Sequence, residues 1–534
     1  MHLWQKLLTA IFCGRADRPN PALMLVLCLC LRQATCSYAA VYFVASTGSD
    51  TNPGTIERPF ATVSRAQQAA SAGDTVYLRG GLYFLDNSHI TATNPPWAVV
   101  NHINKSGVSY VAYPGERPVF DFSRVQPVGW RVTAFLVTAN DCVFKGFDVV
   151  GVQVTIQTNH TQSECFRVAG GNRNRFEQLA MHDGMGIGWY LTAGASNLVL
   201  NCDAYNNRGL DSGSMGNTDG FGAHPCSTNH TGNILRGCRA WFNSDDGFDL
   251  INAWAQVTVD NCWAFYNGYF TNFSSTGGDG NGFKVGGYGV SGGLVPIPPP
   301  RHRTQFCVAA RNRANGFYAN HHTGGLDWFN NTAYANRYNF NLLCNLDAQS
   351  SSNDVPGFGH VMKNNLGFMA RTAEVTNIGP SNDVSFNYFT LDVTVASNDF
   401  ASLDETLLVL PRQPDGALPY IAFMRLLGSS DLVDAGMDMA QAYAGAAPDL
   451  GAFEYGLQPQ PALAIGQLTT NIVLVCSGGW AGGPVKLQAA EWFTPNSVQW
   501  ESTGTNVFDV TGTCTFRLSV PAGQMQQFFR LALP

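Results

Sequence analysis

One short pattern returns along the middle of the chain. Asn201-Cys-Asp-Ala-Tyr-Asn-Asn207, Gly237-Cys-Arg-Ala-Trp-Phe-Asn243, Asn261-Cys-Trp-Ala-Phe-Tyr-Asn267 and Asn330-Asn-Thr-Ala-Tyr-Ala-Asn336 share the template Cys/Asn-x-Ala-x-x-Asn. Its closing asparagine is read at Asn207, Asn243, Asn267, Asn315 and Asn336, at intervals of 36, 24, 48 and 21 residues. Such intervals describe one coil of roughly 20–25 residues, alone or with an insertion, repeated as a solenoid. Alternating segments such as Val257-Thr-Val-Asp260 precede the template and read as strands. Asparagines at the same turn of successive coils can stack their amides, satisfying buried polar groups as a ladder. The pattern predicts an all-β chain built on a right-handed parallel β-helix.

Composition agrees, since 56 Gly and sparse charge, 13% against roughly 25% in an average chain, are poor material for helices. Cys202, Cys238 and Cys262 read either as disulfide partners or as small apolar side chains lining one interior row, and the second reading is preferred because free cysteine is among the most buried residue types. Thr62–Ala70 spaces Val63, Ala66 and Ala70 along one helical face, which predicts an N-terminal helical cap on the open end of the solenoid, ahead of a strand over Asp74–Leu78. Near Glu454-Tyr-Gly456 the style changes, and the expected organisation is a solenoid over 41–455, a linker over 456–462 and a small C-terminal β-sandwich over 463–534. Cys476 and Cys514 are candidates to pair within that module.

A net charge of −7 argues against a nucleic-acid partner. The apolar run 22–31 follows Lys6, Arg15 and Arg18 and precedes Ser37-Tyr38-Ala39; it is too short to span a bilayer and reads as a signal peptide over 1–39. A secreted, extracellular, periplasmic or cell-surface protein, monomeric and without stable membrane insertion, is therefore expected.

Acidic residues are scarce, yet they concentrate in Asn217-Thr-Asp219-Gly and Asn243-Ser-Asp245-Asp246-Gly-Phe-Asp249. A separation of 26 residues between Asp219 and Asp245 places them on neighbouring coils, where four carboxylates would repel unless a cation neutralised them. Oxygen-only ligands point to Ca²⁺, although Asp-Gly pairs also serve simply as turns. Further on, Asp279-Gly-Asn-Gly-Phe-Lys284-Val-Gly-Gly287 sets a lone lysine among glycines. Alone it would read as a solvated charge; beside a dication its pKa would fall, and a neutral amine can then act as general base. A metal and a neutral base are what proton abstraction α to a uronate carboxylate requires.

These residues, with Tyr42–Asp50, Asn52-Pro-Gly54 and the stretch from Asp399 to Gly436, resemble polysaccharide lyase family 9, the pectate lyases of the Pel9A type. The resemblance covers about 415 residues, 41 to 455, and leaves the C-terminal module outside. It implies a right-handed parallel β-helix, calcium held by Asp219, Asp245, Asp246 and Asp249, Lys284 as base, and β-elimination of an acidic plant cell-wall polysaccharide, homogalacturonan first. One departure is His224, where many members carry Lys, and it bears on the preferred polymer more than on the reaction. The family also contains rhamnogalacturonan lyases. Two rival readings stand beside it. A polygalacturonase-type hydrolase can use paired carboxylates, but its Gly-His-Gly and Arg-Ile-Lys tripeptides are missing here. A non-catalytic polysaccharide-binding solenoid would keep the calcium as structural. Arg236, Arg239, Arg311 and Arg313 can either pair with substrate carboxylates or face solvent.

Overall fold

The computed structural model describes residues 39–156, 162–210, 215–289, 295–346, 353–457, 461–468, 471–490, 499–519 and 527–533. The signal-peptide reading therefore falls outside the described residues, as do residues 458–460 of the expected linker. Among the described residues no helix is long and apolar enough to cross a membrane.

Three long sheets run side by side from Val41 to Thr376, each coil contributing one strand in turn to each sheet, with 11, 10 and 11 strands among the described residues. Pairing between coils is parallel throughout, apart from the antiparallel Ala92–Asn94 strand at one end of the third sheet. Helix Val63–Ala69 closes the N-terminal end. Thr62 caps it by accepting from the Arg65 amide, and Val63, Ala66 and Ala70 are buried.

The template explains how each coil turns. Its first residue follows a position in the left-handed region, occupied by Asn201, Gly237, Asn261 and Asn330, with φ between 51° and 65°. Asn and Gly are the residues that adopt this conformation at least cost. The cysteine that follows points inward: Cys202, Cys238, Cys262 and also Cys307 form a row of buried free thiols, the Cys238 and Cys262 amides each lying 3.4 Å from the next sulfur. Closing asparagines form the ladder Asn207, Asn243, Asn267, Asn312, Asn336, each side-chain oxygen taking up the amides of the rung before. Asn312, rather than Asn315, is the fourth rung. Cys307-Val-Ala309-Ala-Arg-Asn312 completes the template, so the spacings are 36, 24, 45 and 24 residues, and Asn315 belongs to a different ladder.

The second sheet is covered on its outside. Phe265, Val308, Ala310 and Tyr334 pack against Leu408, Ile421 and Phe423 of the irregular segment after the last coil. Asp203 holds this cover down, pairing with Arg239 at 2.9 Å and Arg412 at 2.6 Å. Beyond it, two three-stranded antiparallel sheets make the C-terminal module, which docks through Ala422–Ala481 and Ala481–Tyr420 main-chain bonds. Cys476 and Cys514 stand opposite each other on adjacent strands of that module, both as free thiols.

Candidate active and metal site

The third sheet carries the site, and strict alternation along its strands decides which residues reach it. Phe166, Trp189, Phe221, Phe248, Phe283, Phe317 and Phe340 lie in one register and point into the core, with the Phe221–Phe248, Phe248–Phe283 and Phe283–Phe317 rings stacked 4.9–5.0 Å apart. Their chain neighbours point outward by the period-two rule. That outer column reads Arg167, Tyr190, Gly222, Asp249, Lys284, Tyr318, Asn341. Asp249 and Lys284 are thus adjacent on the sheet although 35 residues separate them in sequence.

On the other side of each phenylalanine sits a unit that the sequence repeats four times: Asp219-Gly-Phe, Asp246-Gly-Phe, Asn281-Gly-Phe and Asn315-Gly-Phe. A side chain at Gly247 would come within 2.7 Å of the Gly282 carbonyl and 2.8 Å of the Asn267 amide, so only glycine lets the coils close up. The residue before each glycine forms a second ladder. Asn315 donates to Asn281 Oδ1 at 2.6 Å, and Asn281 donates to Asp246 Oδ1 at 2.8 Å. Asp246 cannot continue the series, because a carboxylate has no side-chain proton to give; its main-chain amide reaches Asp219 Oδ1 at 3.1 Å, and its own Oδ2 is buried with the Lys284 ammonium, 3.2 Å away, as its neighbour instead of a ladder donor.

Two rungs of the ladder therefore carry charge where the scaffold carries amides. One oxygen each from Asp219, Asp246 and Asp249 lies within 4.8 Å of the others, and Asp245, Asp246 and Asp279 form a second such group. The four expected aspartates are brought together as two overlapping triads sharing Asp246, with Asp279 as an additional member that sequence reasoning missed. Lys284 Nζ reaches Asp246 at 3.2 Å, Asp249 at 3.3 Å and Asp279 at 3.8 Å. Burial, then the neighbouring carboxylates, push the Asp219 and Asp245 carboxyls well above their ordinary value. For Lys284 burial acts downward, but Asp249, Asp246, Asp245 and Asp279 outweigh it and hold the ammonium well above its usual pKa. Acid oxygens alone, buried and in excess over a single ammonium, are a donor set that fits a hard dication such as Ca²⁺.

His224 lies at the edge, its Nε2 buried without a hydrogen-bond partner, 3.9 Å from Asp249 and edge-on to Tyr190 at 5.1 Å between ring centres. Burial lowers its pKa, so the imidazole is neutral. The four arginines offered as substrate partners are engaged elsewhere: Arg236 with Asp260 at 2.6 Å, Arg239 with Asp203, Arg311 with Glu405 at 2.5 Å, and Arg313 with the Gly278 and Asp279 carbonyls. Arg313 thereby fixes the loop that presents Asp279.

A family profile described as "Pel9A-like, right handed beta helix region" matches residues 42–365. The chain belongs to the Pel9A-like right-handed β-helix family. Among its relatives, Pectate lyase L of Dickeya chrysanthemi is 35% identical over 423 residues, 78% of this chain and 90% of that one. Pectate lyase PEL9 of Emericella nidulans is 31% identical over 326 residues, 56% of this chain and 74% of the other. Two solved structures are similar: a rhamnogalacturonan lyase at 43% identity and a TM-score of 0.69, covering 73% of this chain and 97% of that one, and pectate lyase Pel9A at 32% identity and 0.63, covering 79% and 97%. The protein is accordingly a polysaccharide lyase of the Pel9A type.

Proposed function

We propose that the protein is a secreted, calcium-dependent lyase that cleaves (1→4)-α-D-galacturonan by β-elimination at Asp219, Asp245, Asp246, Asp249 and Lys284. The observation that carries this reading is the replacement of ladder amides by carboxylates at Asp219 and Asp246 directly beside a buried lysine. Calcium, when bound by these aspartates, supplies the positive charge that holds a uronate carboxylate and offsets the charge developing on it. Asp246 and Asp249 keep the Lys284 amine within reach of that place. As the carboxylates become neutralised, the burial of Lys284 favours its uncharged form, which takes the C5 proton on Nζ. The C5–H electrons form the C4–C5 double bond as the bond from C4 to the glycosidic oxygen breaks, and no water enters.

A second reading, elimination in rhamnogalacturonan, is favoured by the 43% identity to a rhamnogalacturonan lyase. Export rests on the apolar run at 22–31. The test is ultraviolet absorbance of the unsaturated product on polygalacturonate and on rhamnogalacturonan, with calcium and then with a chelator. Absorbance that the chelator abolishes, and that Lys284→Ala lowers by at least about a thousandfold, is expected. Reducing ends without absorbance would overturn elimination in favour of hydrolysis.

A further inference from the structure

The outer column of the third sheet does not end at the site. Toward the N-terminus it passes Gly222, which has no side chain, then Tyr190, then Arg167. A β-carbon at position 222 would lie 2.7 Å from the Tyr190 ring, so the bare glycine lets that ring lean toward Asp249. Arg167 stacks on Trp97 at 4.6 Å and lies 5.8 Å from the Tyr190 ring centre, and Arg131, in register with Trp97, lies 5.4 Å from the same indole. Beneath them Glu164 is fully buried, accepting from Arg167 at 3.1 Å and from Thr133 at 2.7 Å. Arg131 also donates to Gln162 at 3.1 Å.

Two guanidiniums share one indole beside one buried carboxylate, so the three charged groups together are net positive. In the other direction the column continues as Tyr318, Asn341 and Thr376, without charge. A polyanion lying along this face is therefore drawn toward the N-terminal coils. Arg167 lies three rungs from Asp249 and four from Lys284, about 14 and 19 Å at the usual strand spacing of roughly 4.8 Å. A pyranose unit of an extended chain advances by about one rung.

We propose that Arg167, Arg131 and Trp97 form a remote binding site for a uronate of the same chain, about three or four sugars from the bond that is cut. Guanidinium forks match carboxylates, and the indole and phenol faces offer apolar platforms beside them. The proposal rests on the uronate-lyase reading above and extends it: this site, rather than the metal cluster, makes affinity grow with chain length.

Two variants test it, Arg167→Ala and the double variant Arg167→Met/Glu164→Gln, which removes the buried carboxylate along with its partner. Product absorbance is followed on polygalacturonate and on trigalacturonate, which is too short to reach both sites. The ratio of the KM for polymer to the KM for trimer should rise about tenfold in both variants; an unchanged ratio overturns the site. Should the wild-type protein eliminate neither substrate, the lyase reading fails, and retardation of the full chain in gels containing polygalacturonate still decides the arginines. Retardation lost in the double variant supports the site, and retardation equal to wild type refutes it.

Discussion

Asp246→Asn should move stability and catalysis in opposite directions. Without metal, Asp246 Oδ2 is buried with no ladder donor, and the carboxylates of Asp219, Asp245, Asp246 and Asp249 share the single ammonium of Lys284. An asparagine there can donate to Asp219 Oδ1 as Asn281 donates to Asp246, while its oxygen keeps the Asn281 contacts at 2.7 and 2.8 Å. Removing one buried charge from a cluster of carboxylates that share one ammonium is worth roughly 1–3 kcal/mol. Against it stands the loss of the 3.2 Å Lys284 contact, softened because Lys284 keeps Asp249 at 3.3 Å. A net gain of about 1 kcal/mol raises the midpoint of a melt in chelator by about 2–4 °C on the scale of domains of 150–250 residues, and by less in a longer chain.

Calcium reverses the order. A ligand at a hundred times its Kd stabilises the folded state by about 2.7 kcal/mol, and the wild-type protein should gain this while the variant, lacking one donor charge, gains less. Product formation by the variant should fall by about two to three orders of magnitude. Scanning calorimetry in chelator and in calcium, on both proteins, reads the first two quantities, and product absorbance reads the third. A variant that melts below wild type in chelator, or shows the same calcium shift as wild type, would refute the account of this rung as a charged substitution in an amide ladder.

The remaining predictions concern the same coils. Because Asp219 and Asp245 have raised carboxyl pKa values in the folded state, these two sites bind more protons there than in the unfolded chain above about pH 4, so their contribution to metal-free stability is lost as pH rises through the folded values; the buried histidines His224, His302, His322 and His360, with lowered pKa values, act in the opposite direction up to about pH 6.5, and calcium should remove the aspartate part alone. Melts from about pH 4 to 8 with and without calcium check this: the rise in midpoint that calcium produces should grow with pH, and a rise that shrinks with pH would contradict it. His224→Lys replaces a neutral imidazole 3.9 Å from Asp249 with a fixed charge and should weaken calcium binding about tenfold or more by calorimetric titration. Asn267→Leu breaks the ladder at Asn243, Ala240 and Asn312 and should cost several kcal/mol in denaturant unfolding, at roughly 1–3 kcal/mol for each polar group left unpaired.

The coil and the inward row of cysteines could be read from the chain because each is set within a single template, where identity and spacing suffice. Asn312 and Asn315 show where that fails. Both are ladder asparagines three residues apart, but they stack on Asn267 and Asn281 respectively, and only the closing of the intervening loop shows which rung each joins. The site divides in the same way. Asp219, Asp245, Asp246 and Asp249 announce themselves as a cluster of scarce residue types. Arg167, Tyr190 and Asp279 do not, since they come from coils of unequal length and meet only through register: 27 residues carry the column from Gly222 to Asp249, and 35 carry it on to Lys284. Arg236, Arg239, Arg311 and Arg313 lay nearest the motif in sequence, yet the first two belong to the other two sheets and the last two are bound to Glu405 and to the loop of Asp279.

The site thus differs from its own scaffold by a small chemical change. At Asn281 and Asn315 the coil spends a side-chain amide on the rung before it; at Asp219 and Asp246 an oxygen stands in place of that nitrogen, and the donor is lost while the shape is kept. The glycine and phenylalanine that follow are the same in all four coils, so the backbone remains close-packed and Phe248 and Phe283 still direct Asp249 and Lys284 outward. A fold that already satisfies its interior by donating a side-chain N–H from rung to rung has to omit only two of these donors to create a buried demand for positive charge. Lys284 meets part of that demand when no cation is present, and for the same reason the base role proposed for its amine requires that something else meet it.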